Sequence, residues 1–215
     1  VQTCALPIWT AAFQAHNLDA AQVLLTTDDV MRRDHYTNVR AALTRLLGLG
    51  VVPILNENDA VTTRELRFGD NDRLAALIAQ MIKADALVLL TDVDGLYTAP
   101  PDHPGSELIE RVEGADDLMS VLVTGAGSRV GTGGMATKVQ AAMLATASGI
   151  GVQLASADAL PRVLSGTRVG TWFAPAEQRP ASRRLWIAHV APSRGEIIVD
   201  EGAARAITAG KKSLL

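Results

Sequence analysis

Apolar runs of two kinds alternate along the chain. Short runs rich in Val, Ile and Leu have the length of strands, and longer stretches repeat their apolar positions every three or four residues, the period of a helix. Residues 22–26 (Gln-Val-Leu-Leu-Thr) read as a strand, residues 36–47 as a helix and residues 51–55 as a second strand. Residues 72–84 predict a helix with Leu74, Leu77, Ile78 and Met81 along one face. Residues 86–91 form a continuous apolar strand suited to burial on both faces. Residues 136–148 predict another helix, with Gly149 behind it as a C-terminal stop signal. Residues 151–155, 169–173 and 185–188 read as further strands. This repeated strand–helix–strand order predicts an α/β fold, a mainly parallel sheet with helices on both faces.

In such folds ligands collect beyond the carboxyl ends of the strands. Three expected connections there carry chemistry. The strand at 51–55 runs into Asn56-Glu57-Asn58-Asp59, and the strand at 86–91 into Asp92-Val93-Asp94-Gly95-Leu96-Tyr97. The third connection holds Gly131-Thr132-Gly133-Gly134-Met135-Ala136-Thr137-Lys138. Backbone without Cβ atoms admits a ligand closely, and the first amides of the helix that follows face outward with the positive end of its dipole behind them. That combination suits a phosphate. Lys138 adds a point charge in the first turn, where a cation is unfavourable unless an anion offsets it. The loop matches neither common phosphate fingerprint: a P-loop requires Gly-Lys-Ser/Thr. Gly125-Ala126-Gly127-Ser128-Arg129-Val130 starts like a dinucleotide motif but has Val130 at the last glycine position.

Asn56, Glu57, Asn58 and Asp59 are followed by a second cluster, Asp70, Asn71 and Asp72. One of Asp70 and Asn71 suits the N-cap of the next helix. The rest exceed what capping needs. Carboxylates pair with an α-ammonium and carboxamides donate to carboxylates, so the set suits an amino acid ligand. Residues 60–68 would form a flap over it. Phosphoryl transfer needs positioning, a metal on the phosphates and cations to offset developing charge. Lys138 fits the cation role, with Asp72 or Asp70 orienting it or the metal shell. No Ser–His–carboxylate set at recognisable spacing competes with this.

Composition narrows the classes further. A net charge of -3 gives no general attraction to nucleic acid or to a membrane surface. No apolar run approaches the length of a transmembrane helix. Cys4 is the single cysteine and the four histidines are scattered, so neither a disulfide nor a protein-built metal cluster is expected. A reducing, cytoplasmic setting is the expectation. Residues 1–8 (Val-Gln-Thr-Cys-Ala-Leu-Pro-Ile) resemble translated sequencing adaptor and are expected to be non-native, with the domain cut at its N-terminus. Residues 179–194, with Arg179, Pro180, Arg183 and Arg184, read as a linker, and residues 195–215 as the opening strand and helix of a second unit.

Four motifs together carry a resemblance: Asn56-Glu57-Asn58-Asp59-Ala60-Val61, Gly69-Asp70-Asn71-Asp72, Thr91-Asp92-Val93-Asp94-Gly95-Leu96-Tyr97-Thr98 and residues 131–138. In order and spacing they resemble the amino acid kinase family, and the Asn-Glu-Asn-Asp and Gly-Asp-Asn-Asp pair is most similar to its glutamate-phosphorylating members. The resemblance covers residues 9–215. It implies a three-layer α/β/α sandwich, a partial kinase domain at 9–178, and transfer of phosphate from ATP, with Mg2+, to the γ-carboxylate of L-glutamate. By the same resemblance, Asp59, Asn71, Asn56 and Asn58 would bind glutamate. Thr91, Asp92, Thr132, Gly133, Gly134, Met135, Ala136, Thr137 and Lys138 would bind ATP. Lys138 and Asp72 would be catalytic, and no protein metal ligand is assigned. It further implies L-proline as a feedback inhibitor acting through the 60–68 flap, where Glu65 and Arg67 lie, a homo-oligomer, and a truncated PUA-like domain from Gly195. The family's N-terminal Lys-x-Gly-Ser/Thr strand and Ser-Gly-Ala loop have no counterpart in this sequence. Other family members acting on aspartate, acetylglutamate or a nucleoside monophosphate, and a nucleotide-binding module without catalysis, are the alternatives.

Overall fold

The computed structural model describes residues 6–61, 71–114, 134–177 and 198–208. In chain order these form α1 (Leu6–Gln14), β1 (Asp19–Leu25), α2 (Thr27–Met31), α3 (Arg33–Gly48), β2 (Val51–Glu57), α4 (Asn71–Ile82) and β3 (Ala86–Thr91). They continue through β4 (Arg111–Val112), α5 (Gly134–Ala147), β5 (Gly151–Ser156), α6 (Leu160–Leu164), β6 (Thr171–Phe173) and α7 (Glu201–Thr208). The strand expected at 185–188 and the linker at 179–194 lie outside the described residues. Of the tail, the expected helix is present as α7.

Among the described residues the strands form two sheets. β1 and β2 pair in parallel, with Asp19 opposite Val51 and Leu25 opposite Glu57. The other sheet has the order β3-β5-β6-β4. Its β3–β5 and β4–β6 pairings are parallel, whereas β5 and β6 run antiparallel. The antiparallel pair departs from the alternating pattern; residues 157–170, which include the five-residue α6, join its two strands. β6 starts with Thr171 opposite Leu154 and ends with Phe173 opposite Val152.

α4 ties the two sheets together. Its expected apolar face, Leu74, Leu77, Ile78 and Met81, is buried with Leu25, Val30 and Leu43 against the β1–β2 side. Ala76 and Ala79, on another side of the same helix, join a second cluster with Leu89, Ile150, Val152, Leu154 and Phe173. Small side chains dominate where α4 meets α5, whose Ala141, Ala142 and Ala145 are buried in that cluster. Two helices lined with alanine approach closely, and this brings their first turns side by side. α4 stops at Ile82 because Lys83 takes a left-handed conformation, φ 58°.

α5 ends as its sequence predicts. Gly149 has φ 74°, its N–H donates to Thr146 O at 2.9 Å, and the N–H of Ile150 donates to Ala145 O at 3.1 Å. This is the Schellman arrangement, and Ile150 and Ala145 share the core that accompanies it. The reversal feeds α5 directly into β5. The first turn of α5 therefore lies at the edge where β5, and β3 parallel to it, end.

At the end of β1, Thr26 and Asp29 form a capping box on α2. The Thr26 amide and hydroxyl donate to Asp29 Oδ2 at 2.8 and 2.6 Å, and His35 Nδ1 lies 3.3 Å from Asp29 Oδ1. Burial opposes ionisation of Asp29, but the Thr26 hydrogen bonds and His35 outweigh it and hold the carboxyl below its ordinary value of 3.8. A depressed pKa contributes stability that is complete above the unfolded-state value and is lost as pH falls through the folded-state value. Asp29→Asn is expected to cost about 1 kcal/mol at neutral pH. It should also flatten the fall of stability below about pH 4, the unfolded-state range of a carboxylate. Urea unfolding at pH 7 and at pH 3 checks both; an unchanged acid limb would detach Asp29 from it.

Candidate active site

The N-terminal parts of α4 and α5 carry a defined polar contact at this edge. Lys138 Nζ donates to Asp72 Oδ2 at 2.8 Å, and the two side chains are 18% and 15% exposed. Each partner is explained by its helix. Asp72 is in the first turn of α4, where the helix dipole favours an anion. Lys138 stands one turn inside α5, with its charge against the dipole, and Asp72 offsets that charge. The sequence left Asp72 and Asp70 as alternatives for orienting the lysine; the contact is to Asp72, and Asp70 lies outside the described residues.

α5 starts at Gly134, two residues before the expected start, so Gly134 and Met135 belong to its first turn rather than to a loop. Lys138 is correspondingly one turn into the helix, not in its first turn. The Thr137 hydroxyl donates back to Gly134 O at 3.0 Å and so stays on the helix. A Cβ built on Gly134 would meet no described atom within 4 Å, so an alanine would fit at this position. Thr132 and Gly133 lie outside the described residues.

β3 ends beside this edge with Thr91, whose hydroxyl donates to Asp92 Oδ1 at 3.0 Å. Thr91 is opposite Ser156, the last residue of β5. The carboxylate–carboxamide cluster lies on the other sheet. β2 continues to Glu57, so Asn56 and Glu57 are strand residues rather than the loop residues the pattern suggested. By strand alternation Asn56 projects from the face opposite Leu55 and Glu57. The N–H of Asn58 donates to Leu25 O at 2.8 Å, which prolongs the β1–β2 pairing, and Val61 N–H donates to Asn58 O at 3.2 Å to start the turn that contains Asp59. Asn71 opens α4. Of the expected flap at 60–68, residues 62–68, with Glu65 and Arg67, lie outside the described residues.

The structure thus joins Asp72 to Lys138, and Thr91 to Asp92, and sets Asn56, Asn58 and Asp59 at the end of β2. Among the described residues no three His, Cys, Asp or Glu side chains gather as a metal site. A divalent cation here would be carried mainly by the ligand's phosphates and water with one or two carboxylates, the usual habit of Mg2+. The lysine, the N-terminus of α5 and one adjacent carboxylate fit a magnesium–triphosphate group chemically. Sequence reasoning missed the contribution of β6, whose Thr171, with Gly170 just before it, packs against the turn after Asp92. Among the described residues no helix is long and apolar enough to cross a membrane.

The model of the amino acid kinase family matches residues 4–156. The chain is 53% identical over 209 residues to the glutamate 5-kinase of Thermobifida fusca (strain YX), covering 96% of this chain and 54% of that protein. It is also 53% identical over 208 residues to the glutamate 5-kinase of Salinispora arenicola (strain CNS-205), covering 96% and 56%. The chain spans about half the length of the curated relatives it matches. In fold it is similar to the carbamate kinase from Giardia lamblia bound to AMP-PNP, with a TM-score of 0.59 and 18% identity, over 80% of this chain and 67% of that one.

Proposed function

The chain belongs to the amino acid kinase family, and on that premise we propose that it supplies, within a full-length enzyme, ATP-dependent phosphorylation of the γ-carboxylate of L-glutamate. The product is L-glutamyl 5-phosphate, the first intermediate of proline synthesis. The observation that carries the reading is the Lys138–Asp72 pair near the N-terminus of α5. It is supported by the relatives named glutamate 5-kinase at about half identity.

In the reaction a γ-carboxylate oxygen of glutamate forms a bond to the γ-phosphorus of ATP as the bond to ADP breaks. The amides of Gly134, Met135 and Ala136, with Thr132, Gly133 and Thr137, cradle phosphate oxygens, and Thr91 and Asp92 hold the rest of the nucleotide. Lys138 meets the charge that spreads over the transferring group. Asp72 keeps the ammonium aimed while the site fills. Mg2+ neutralises the phosphates when bound. Asp59, with Asn56, Asn58 and Asn71, receives the amino acid. We extend the reading to L-proline, which shares the α-ammonium and α-carboxylate and would compete at Asp59, to a homo-oligomeric and cytoplasmic enzyme, and to residues 195–215 as the opening of a PUA-like domain.

The test is an acceptor panel, run with this chain joined to the flanking segments of a full-length relative. ADP formation that requires glutamate supports the reading. ADP formation with aspartate, acetylglutamate, carbamate or UMP instead of glutamate would overturn it and assign the chain to another branch of the family. Within the same assay, Asp59→Asn is expected to raise the glutamate KM by about tenfold or more, the value of a charge-assisted contact, with little change in kcat. A contact made equally in ground and transition states behaves this way. A raised ATP KM with normal glutamate KM would place Asp59 in the nucleotide pocket.

A further inference from the structure

We propose that Thr171, on β6, is a positioning residue for the 91–95 loop and so for nucleotide binding; the proposal rests on the reading of Thr91 and Asp92 as nucleotide ligands. Thr171 is fully buried, 0% exposed. Its hydroxyl accepts a hydrogen bond from the Leu96 N–H at 2.8 Å and donates to Ile109 O at 2.6 Å. The Ile109 N–H in turn donates to Leu96 O at 2.8 Å. The three bonds close a ring through one side chain and two backbone residues, and both backbone groups of Leu96 are held in it.

The surroundings are built for this approach. A Cβ on Gly95 would lie 2.7 Å from Thr171 Oγ1, so only glycine lets the loop come down onto the hydroxyl. Gly170 has φ 66°, and a Cβ there would stand 2.8 Å from Asp94 O. Gln153 Nε2 donates to Val169 O at 2.6 Å and to Thr171 O at 3.1 Å, fixing the backbone on both sides of Gly170. The N–H of Trp172 donates to Glu110 O at 2.9 Å, which continues the same docking. The 91–95 loop is therefore suspended between two fixed points. One is Thr91 at the end of β3, paired with β5. The other is Leu96, held by a residue 75 positions away. Packing alone would not ask for a threonine here, because a valine fills the same volume. A fully buried hydroxyl is costly unless its bonds are made, and these bonds specify where the loop ends.

Two substitutions separate the hydroxyl from the methyl. Thr171→Val keeps the volume and removes both hydrogen bonds; Thr171→Ser keeps the hydroxyl and removes the methyl. Titration of the chain with a fluorescent N-methylanthraniloyl ATP in the presence of Mg2+ reads nucleotide affinity. Hydrogen exchange reads the loop directly, comparing residues 91–98 with α5. Thr171→Val is expected to weaken nucleotide binding by about tenfold and to speed exchange at 91–98 more than in α5. Thr171→Ser is expected to restore both. A purely structural residue would show the opposite order, with serine worse than valine, or equal acceleration in the loop and in α5; either result would overturn the proposal. Parent-like affinity and exchange in Thr171→Val would overturn it as well. Failure of the parent chain to bind the nucleotide would overturn the reading of the loop and with it the positioning role. That outcome is distinguished from the others by being visible before any substitution is made.

Discussion

Replacing Lys138 with alanine is expected to lower turnover by about 10²–10³-fold, the loss seen when one donor to a developing charge is removed. The glutamate KM should change far less. The reason lies in the timing of the interaction. Charge builds on the transferring phosphoryl group as it leaves ADP, so a cation aimed there gains most in the transition state. The pair geometry supplies the aim: Lys138 is held by Asp72 at 2.8 Å in a half-buried position, so little reorganisation is needed when the nucleotide arrives. Removing the lysine also leaves Asp72 without that partner, but the N-terminus of α4 still favours its charge, so the fold should survive. Lys138→Arg is the informative companion. A planar guanidinium bonds the carboxylate in a different geometry and does not reproduce a point charge, so it should keep stability and recover little activity. Steady-state kinetics on the full-length form checks this; an unchanged kcat for Lys138→Ala would remove the residue from the mechanism.

The largest stability effect is expected at Gly170. With φ 66° it occupies the left-handed region, and a Cβ would stand 2.2 Å from Leu154 O and 3.1 Å from Ala155 Cα, both backbone atoms of β5. Neither can move without opening the β5–β6 pairing. Gly170→Ala is expected to cost about 3 kcal/mol or more, combining left-handed strain with forced overpacking. Gly166 is the control. Its φ is 78°, yet nothing lies within 4 Å of its Cβ position, so alanine there should cost only about 1 kcal/mol of backbone strain. Urea midpoints of the two variants check the difference. Equal losses would show that conformation alone, not the crowding against β5, sets the demand for glycine.

Elements with a clean period were legible in the sequence: β3 as an unbroken apolar run, α4 through its Leu74–Leu77–Ile78–Met81 face, and the end of α5 through Gly149. Elements decided by what lies beyond the local window were not. β4 has two residues and no period to read. The direction of β6 is set by its pairing with β5, which no local window shows. The start of α5 was misplaced because Gly134 argues for a loop, although the first turn of a helix tolerates glycine where its amides are unpaired anyway. The candidate site divides the same way. Its residue types and their order were readable, and they carried the resemblance to a family. The partnership of Lys138 with Asp72 joins residues 66 positions apart and follows from alanine-lined packing between α4 and α5. Thr171 gave no local signal, since its role exists only once β6 has docked on the turn after β3.

The central claim is that the acceptor is the γ-carboxylate of glutamate. Hydroxylamine tests it most directly, because it attacks an acyl phosphate, releasing phosphate and leaving a hydroxamate. With the full-length form, Mg2+, ATP and L-glutamate, the account predicts γ-glutamyl hydroxamate formed in step with ADP, and both slowed by about 10²–10³-fold when Lys138 is alanine. ADP formed with glutamate but without hydroxamate, or hydroxamate formed equally well from aspartate, would contradict it.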